Sequence, residues 1–102
     1  MELQTLNNQT FDAVISAKGA AMVDFFAPWC APCRTMAPVV QKAAETLGSA
    51  CPVYQVNIDE SPELADRHQI ASIPTIIVFR DGREIHRVTG IHSAGDLTAL
   101  LP

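Results

Sequence analysis

At 102 residues, 48% hydrophobic, 6% aromatic and 18% charged, the chain has the size and composition of one domain that can bury a core without metals or structural disulfides. Its formal net charge is −4 and its seven Lys and Arg are scattered, which argues against a nucleic-acid partner, because phosphate contact needs a clustered basic face. No apolar run approaches the roughly 20 residues of a membrane span, and Met1-Glu2-Leu3-Gln4-Thr5 shows no basic region followed by an apolar leader. Three cysteines do not make a disulfide framework. A single Cys-x-x-Cys with one cysteine left over points to a reducing compartment, the cytoplasm, in which Cys51 persists as a thiol.

The first element expected is a short strand over 3–6. Thr10 can cap a helix over 11–17, with Phe11, Val14 and Ile15 as its apolar face and Gly19 as its stop. Residues 21–27 form a nearly continuous apolar run, the pattern of a central strand covered on both faces. Asp24 is its exception and shares one side of the pleat with Met22 and Phe26. A long helix follows over 31–47. Cys33, Met36, Val40, Ala43 and Leu47 recur at spacings of three and four as one buried stripe, Pro38 predicts a kink, and Gly48 ends the helix.

A second buried strand is expected over 53–58. Ser61 then reads as a cap and Pro62 as a first-position proline for a helix ending near 69. A loop leads into a strand over 76–80, Asp81-Gly82 marks a hairpin, and the strand over 83–89 carries edge charges at Arg83, Glu84 and Arg87. Ile85 and Val88 have opposite parity, which predicts a bulge. Ser93 caps a last helix running through 101. Alternating strands and helices with a terminal hairpin predict an α/β fold, with a central mixed five-stranded sheet flanked by four helices on both faces.

The chemistry concentrates in Trp29-Cys30-Ala31-Pro32-Cys33-Arg34, at the junction of the apolar strand and the long helix. Positions three apart on a helix are neighbours, so Cys30 and Cys33 can close a very small disulfide ring, with Ala31 and Pro32 setting its geometry. The free N–H groups and positive dipole end of the helix, with Arg34 one turn on, favour a thiolate at Cys30. Cys33 lies deeper and should be the shielded partner. The rival reading, half of a zinc site, lacks ligands: no second Cys-x-x-Cys or His-x₃-His is present, and His68, His86 and His92 read as isolated and solvated. Asp24 on a covered strand should have a raised pKa and can serve as a proton relay for Cys33; the alternative is an aspartate bonded to backbone. Trp29, beside a nucleophile on a loop, reads as the wall of a docking surface. Cys51 reads as a buried or partly covered thiol.

Trp29-Cys30-Ala31-Pro32-Cys33 resembles the redox motif of the thioredoxin family, with Ala31 where that family usually has glycine. The resemblance covers nearly the whole chain and implies the thioredoxin fold over residues 1–102 as one domain. It implies that Pro38 is the family's kinking proline and Asp24 its buried acid. Many members put a lysine where this chain has Gln55, so Asp24 is expected to hold its proton to higher pH than it would beside a lysine. An X-Pro bond is trans by default; the resemblance of Ile73-Pro74-Thr75 to a loop carrying a cis proline reverses that expectation. Ile73, Pro74, Thr75, Gly90 and Ile91 would then complete the docking surface with Trp29.

The implied activity is reduction of protein disulfides by dithiol–disulfide exchange through Cys30 and Cys33, on disulfide-containing client proteins. Members are re-reduced by a flavin-containing thioredoxin reductase using NADPH. The chain itself has no phosphate-cradling glycine motif and is expected to bind no cofactor and no metal, and to act as a monomer. Two other readings stay open: a disulfide oxidase or isomerase, and a thioredoxin-like binding or chaperone module.

Overall fold

The computed structural model describes residues 3–101; Met1 and Glu2, part of the stretch read for a leader, lie outside the described residues. The elements run β1 (Gln4–Leu6), α1 (Phe11–Ile15), β2 (Ala20–Phe26), α2 (Ala31–Leu47), β3 (Val53–Asn57), α3 (Pro62–Arg67), β4 (Thr75–Arg80), β5 (Arg83–Thr89) and α4 (Ala94–Thr98), with a 3-10 turn at Gly48–Ala50. One five-stranded sheet has the order β1-β3-β2-β4-β5. β1 and β2 pair parallel with β3, whereas β4 runs antiparallel to β2 and to β5. The sheet is mixed because a tight hairpin joins β4 to β5, and a tight turn can join only antiparallel strands.

Alternation along β2 divides the core. Val23 and Phe25 join Leu6, Phe11, Ile15, Val56, Leu64, Ile77 and Phe79 on the α1 and α3 face. Met22 joins Met36, Val40, Ala43, Val53, Ile76, Val78 and Leu97 on the α2 and α4 face. The stripe on α2 is therefore the seam that clamps the helix to the sheet, and it fixes where the helix begins. Asp24 falls on this second face, in a row across the sheet formed by Thr5, Gln55, Asp24 and Ile76.

The bulge lies where the parity change predicts it: Val78 pairs with His86 and Phe79 with Glu84, so Ile85 is the extra residue. The caps are mixed. Ser93 makes a full capping box with Asp96, and Gly48 ends α2 at φ +56° with its N–H on Ala44 O. Thr10 and Ser61 make no side-chain cap. Thr10 Oγ1 instead accepts the Asn7 N–H at 2.9 Å, so the turn before α1 claims the hydroxyl that the helix would have used. α1, α3 and α4 are shorter than the sequence suggests; α1 stops at Ile15, and α4 stops at Thr98 before a turn through Leu100 and Leu101.

Candidate active site

β2 delivers the chain to one end of the sheet, and α2 starts after four intervening residues. Cys30 stands at the N-cap of α2 with extended backbone, and its Sγ accepts the Cys33 N–H at 3.2 Å. Pro32 occupies the first turn, where its missing N–H costs nothing. Cys30 and Cys33 are joined as a disulfide, with Cα atoms 5.2 Å apart. A sulfur that receives a helix's orphan N–H at the positive end of the dipole is one whose anion is favoured. Arg34, exposed, donates to the Pro28 carbonyl at 2.9 Å and ties the first turn of α2 back onto the loop before the motif.

Exposure does not separate the two cysteines as expected. Cys30 is 5% exposed and Cys33 is 4%, and both pack with Ala27, Phe26 and Ile73. Direction separates them. Cys30 Sγ lies 3.8 Å from the Ile73 carbonyl oxygen, at the rim. Cys33 lines a cavity of about 130 Å³ that it shares with Asp24, Phe26, Ala27, Pro28, Arg34, Ala37 and Gln55.

Asp24 is 4% exposed, and its Oδ1 has no hydrogen-bond partner among the described residues. Burial pushes its carboxyl up from 3.8 to about 7. The backbone-bonded alternative therefore finds no support at that oxygen. Gln55 is its register partner on β3, yet the Gln55 amide turns the other way and donates to Thr5 Oγ1 at 2.9 Å. Burial is the cause of the raised value, and no charged partner offsets it.

The rim is formed as follows. Trp29 is 66% exposed and Ile91 61%. The Trp29 indole Nε1–H donates to Asp59 Oδ2 at 3.0 Å. Asp59 is a positioning contact that the sequence reading missed; it lies 30 residues on, and only the pairing of β2 with β3 brings it near. The Ile73–Pro74 peptide bond is cis, and Pro74 O accepts the Gly90 N–H at 2.9 Å. Gly90 has φ +81°, a conformation glycine adopts without strain, and an added Cβ would meet nothing of this chain within 4 Å. Thr75 corrects the expectation: it is buried, and its hydroxyl donates inward to Ser72 O at 2.6 Å, so its side chain offers no docking contact.

Two further expectations change or sharpen. His68 is half-buried rather than fully solvated; its ring packs among Phe11, Phe25 and Phe79, its Nδ1–H donates to Leu64 O at 3.0 Å, and burial lowers its pKa. Cys51 is a free, fully buried thiol, and burial raises its pKa. Among the described residues no group of three or more His, Cys, Asp or Glu could hold a metal ion. None of the described helices is long and apolar enough to cross a membrane.

The family model described as Thioredoxin matches residues 2–102. The chain is 38% identical over 99 residues to a protein named Thioredoxin from Chlamydia pneumoniae, covering 97% of this chain and 95% of that one. It is 39% identical over 97 residues to a Thioredoxin from Alicyclobacillus acidocaldarius subsp. acidocaldarius, covering 95% and 92%. A Thioredoxin from Staphylococcus epidermidis is 34% identical over 101 residues, covering 99% and 96%.

Proposed function

The chain belongs to the thioredoxin family and is a thiol–disulfide oxidoreductase that reduces protein disulfides; from that premise we propose how its own residues divide the work. Members of the family act on disulfide-bearing clients and are returned to the dithiol by a reductase.

In the reduced protein the Cys30 thiolate attacks one sulfur of a client disulfide. A bond forms between Cys30 Sγ and the client, and the client's other sulfur leaves as a thiolate. The Cys33 thiol then passes its proton to the Asp24 carboxylate, and the Cys33 thiolate attacks Cys30 Sγ. The mixed disulfide breaks, the client's second thiolate leaves, and the Cys30–Cys33 bond closes. The client gains two electrons and this chain loses two. A thioredoxin reductase returns them.

The single observation that carries this division is the N-cap position of Cys30, with its sulfur on the Cys33 N–H. The cavity shared by Cys33 and Asp24 supports the second role. Trp29, Ile73 and Ile91, backed by Pro74, Thr75 and Gly90, form the client rim, and an extended client segment would pair there with the main chain of Ile73, whose carbonyl lies beside Cys30 Sγ. Ala31, Pro32 and Arg34 tune the ring. The buried thiol of Cys51, kept apart from the pair, supports work in a reducing compartment, the cytoplasm.

Trapping tests the assignment. Cys33→Ser should accumulate mixed disulfides with client proteins, all attached through Cys30 and released by reductant. Adducts at Cys51, or none in Cys33→Ser and abundant ones in Cys30→Ser, would contradict it.

A further inference from the structure

Asp24, Ala37 and Gln55 form a wall between two cavities. The inner one, about 130 Å³, reaches Cys33. The outer one, about 330 Å³, lies between β1 and α2 and is lined further by Leu3, Thr5, Val40 and Gln41. Val40 and Gln41 are some ten residues past Cys30, about 15 Å along the helix at 1.5 Å per residue. The outer cavity therefore extends away from the client rim.

The buried side-chain polar atoms without a partner among the described residues are Asp24 Oδ1 and Gln41 Nε2, and both belong to residues lining this outer cavity. Leaving such atoms unsatisfied is costly, so water is favoured beside them. A polar cavity of this size has room for several waters, each taking roughly 30 Å³ of liquid volume. Thr5 and Gln55 carry the polar wall to the edge strand: Gln55 Nε2–H donates to Thr5 Oγ1 at 2.9 Å, and both sit in the Asp24 row of the sheet. An amide neither gives nor takes a proton near neutral pH, but it orders water that does.

We propose that the outer cavity is the proton antechamber of the reaction: water in it connects Asp24 to bulk solvent, and Thr5, Gln41 and Gln55 are positioning residues that order that water. The proposal rests on the reading of Asp24 as the base for Cys33. The proton leaves Cys33 Sγ for the Asp24 carboxylate through the inner cavity, then passes to water in the outer one. No electron moves in that step. The arrangement lets Asp24 discharge while a client still covers the rim above Cys30. The other titratable or charged groups lining the two cavities are Cys33 and Arg34, both on the inner side.

The experiment follows the Asp24 carboxyl by carbon-13 NMR across pH in the oxidised full chain, beside the pH profile of ring closure with a small aromatic disulfide. Gln41→Leu makes the outer wall apolar and should raise the Asp24 midpoint by roughly 0.5 or more, with the closure profile moving the same way. Thr5→Val should move both in the same direction by less, and Gln41→Asn, which keeps the amide, should restore most of the parent midpoint. A merely structural Gln41 would alter the melting temperature and leave the midpoint in place. Unchanged midpoints in both Gln41→Leu and Thr5→Val would overturn the antechamber. The midpoint reads the cavity whether or not Asp24 serves Cys33; closure unaffected by Asp24→Asn would instead overturn the base assignment.

Discussion

The buried Asp24 carboxyl couples the stability of this molecule to pH. Asp24 is raised from 3.8 to about 7 by burial, with no opposing charge. Between those values the folded chain holds a proton that the unfolded chain has released, so stability falls as pH rises through that window and levels off above it. The span corresponds to a penalty on the order of 4 kcal/mol once the group is ionised. Asp24→Asn, which removes the charge at nearly constant shape, should stabilise the protein by a few kcal/mol at pH 8 and change it little at pH 3, read by denaturant unfolding at the two pH values. An equal gain at both would mean that the charge is not the source. The buried acid was legible because one aspartate interrupts an otherwise apolar strand. The Gln55 turn toward Thr5 was not legible, because it depends on β1 lying beside β3, a register that neither segment encodes locally. The Trp29–Asp59 bond and the packing of His68 on Phe11 and Phe25 were hidden for the same reason: each is a contact between elements far apart in the chain.

Among the elements, the ends of helices decided what could be foreseen. Ser93 with Asp96 three residues on is a capping box in sequence, and it forms: Asp96 N donates to Ser93 Oγ at 3.0 Å and Ser93 N to Asp96 Oδ2 at 3.1 Å. Thr10 and Ser61 carry the same residue chemistry without the reciprocal acid, and they do not cap. α4 is short and holds Leu97 in the core against α2, so its start matters more than its length. Ser93→Ala should lower stability by about 1 kcal/mol, seen as an earlier denaturant midpoint, while the rate of thiol–disulfide exchange stays near the parent value. A loss of exchange matching the loss of stability would show that α4 reaches the site by more than packing. The bulge at Ile85 was legible from parity alone, because period-two alternation cannot be kept across it without an extra residue.

At the scale of the whole molecule, one helix serves two ends. The stripe of Met36, Val40 and Ala43 holds α2 against β2 and β4, and that clamp positions the first turn beside the end of β2 and the loop at Ile73. The order of elements and the mixed sheet followed from alternation and the Asp81-Gly82 hairpin. Which face each helix covers became visible only when the core divided into its two clusters. The site is thus a product of the fold: β2 brings Asp24, α2 brings both sulfurs, and the loop before β4 closes the rim. The start of α2 primes Cys30. The most direct measurement is the alkylation rate of the fully reduced chain across pH, with the modified cysteine mapped. Cys30 should react first, with a half-maximal rate well below the ~8.5 of an ordinary cysteine, while buried Cys51 stays silent. A midpoint at that ordinary value, or fast reaction mapped to Cys33 or Cys51, would contradict the account.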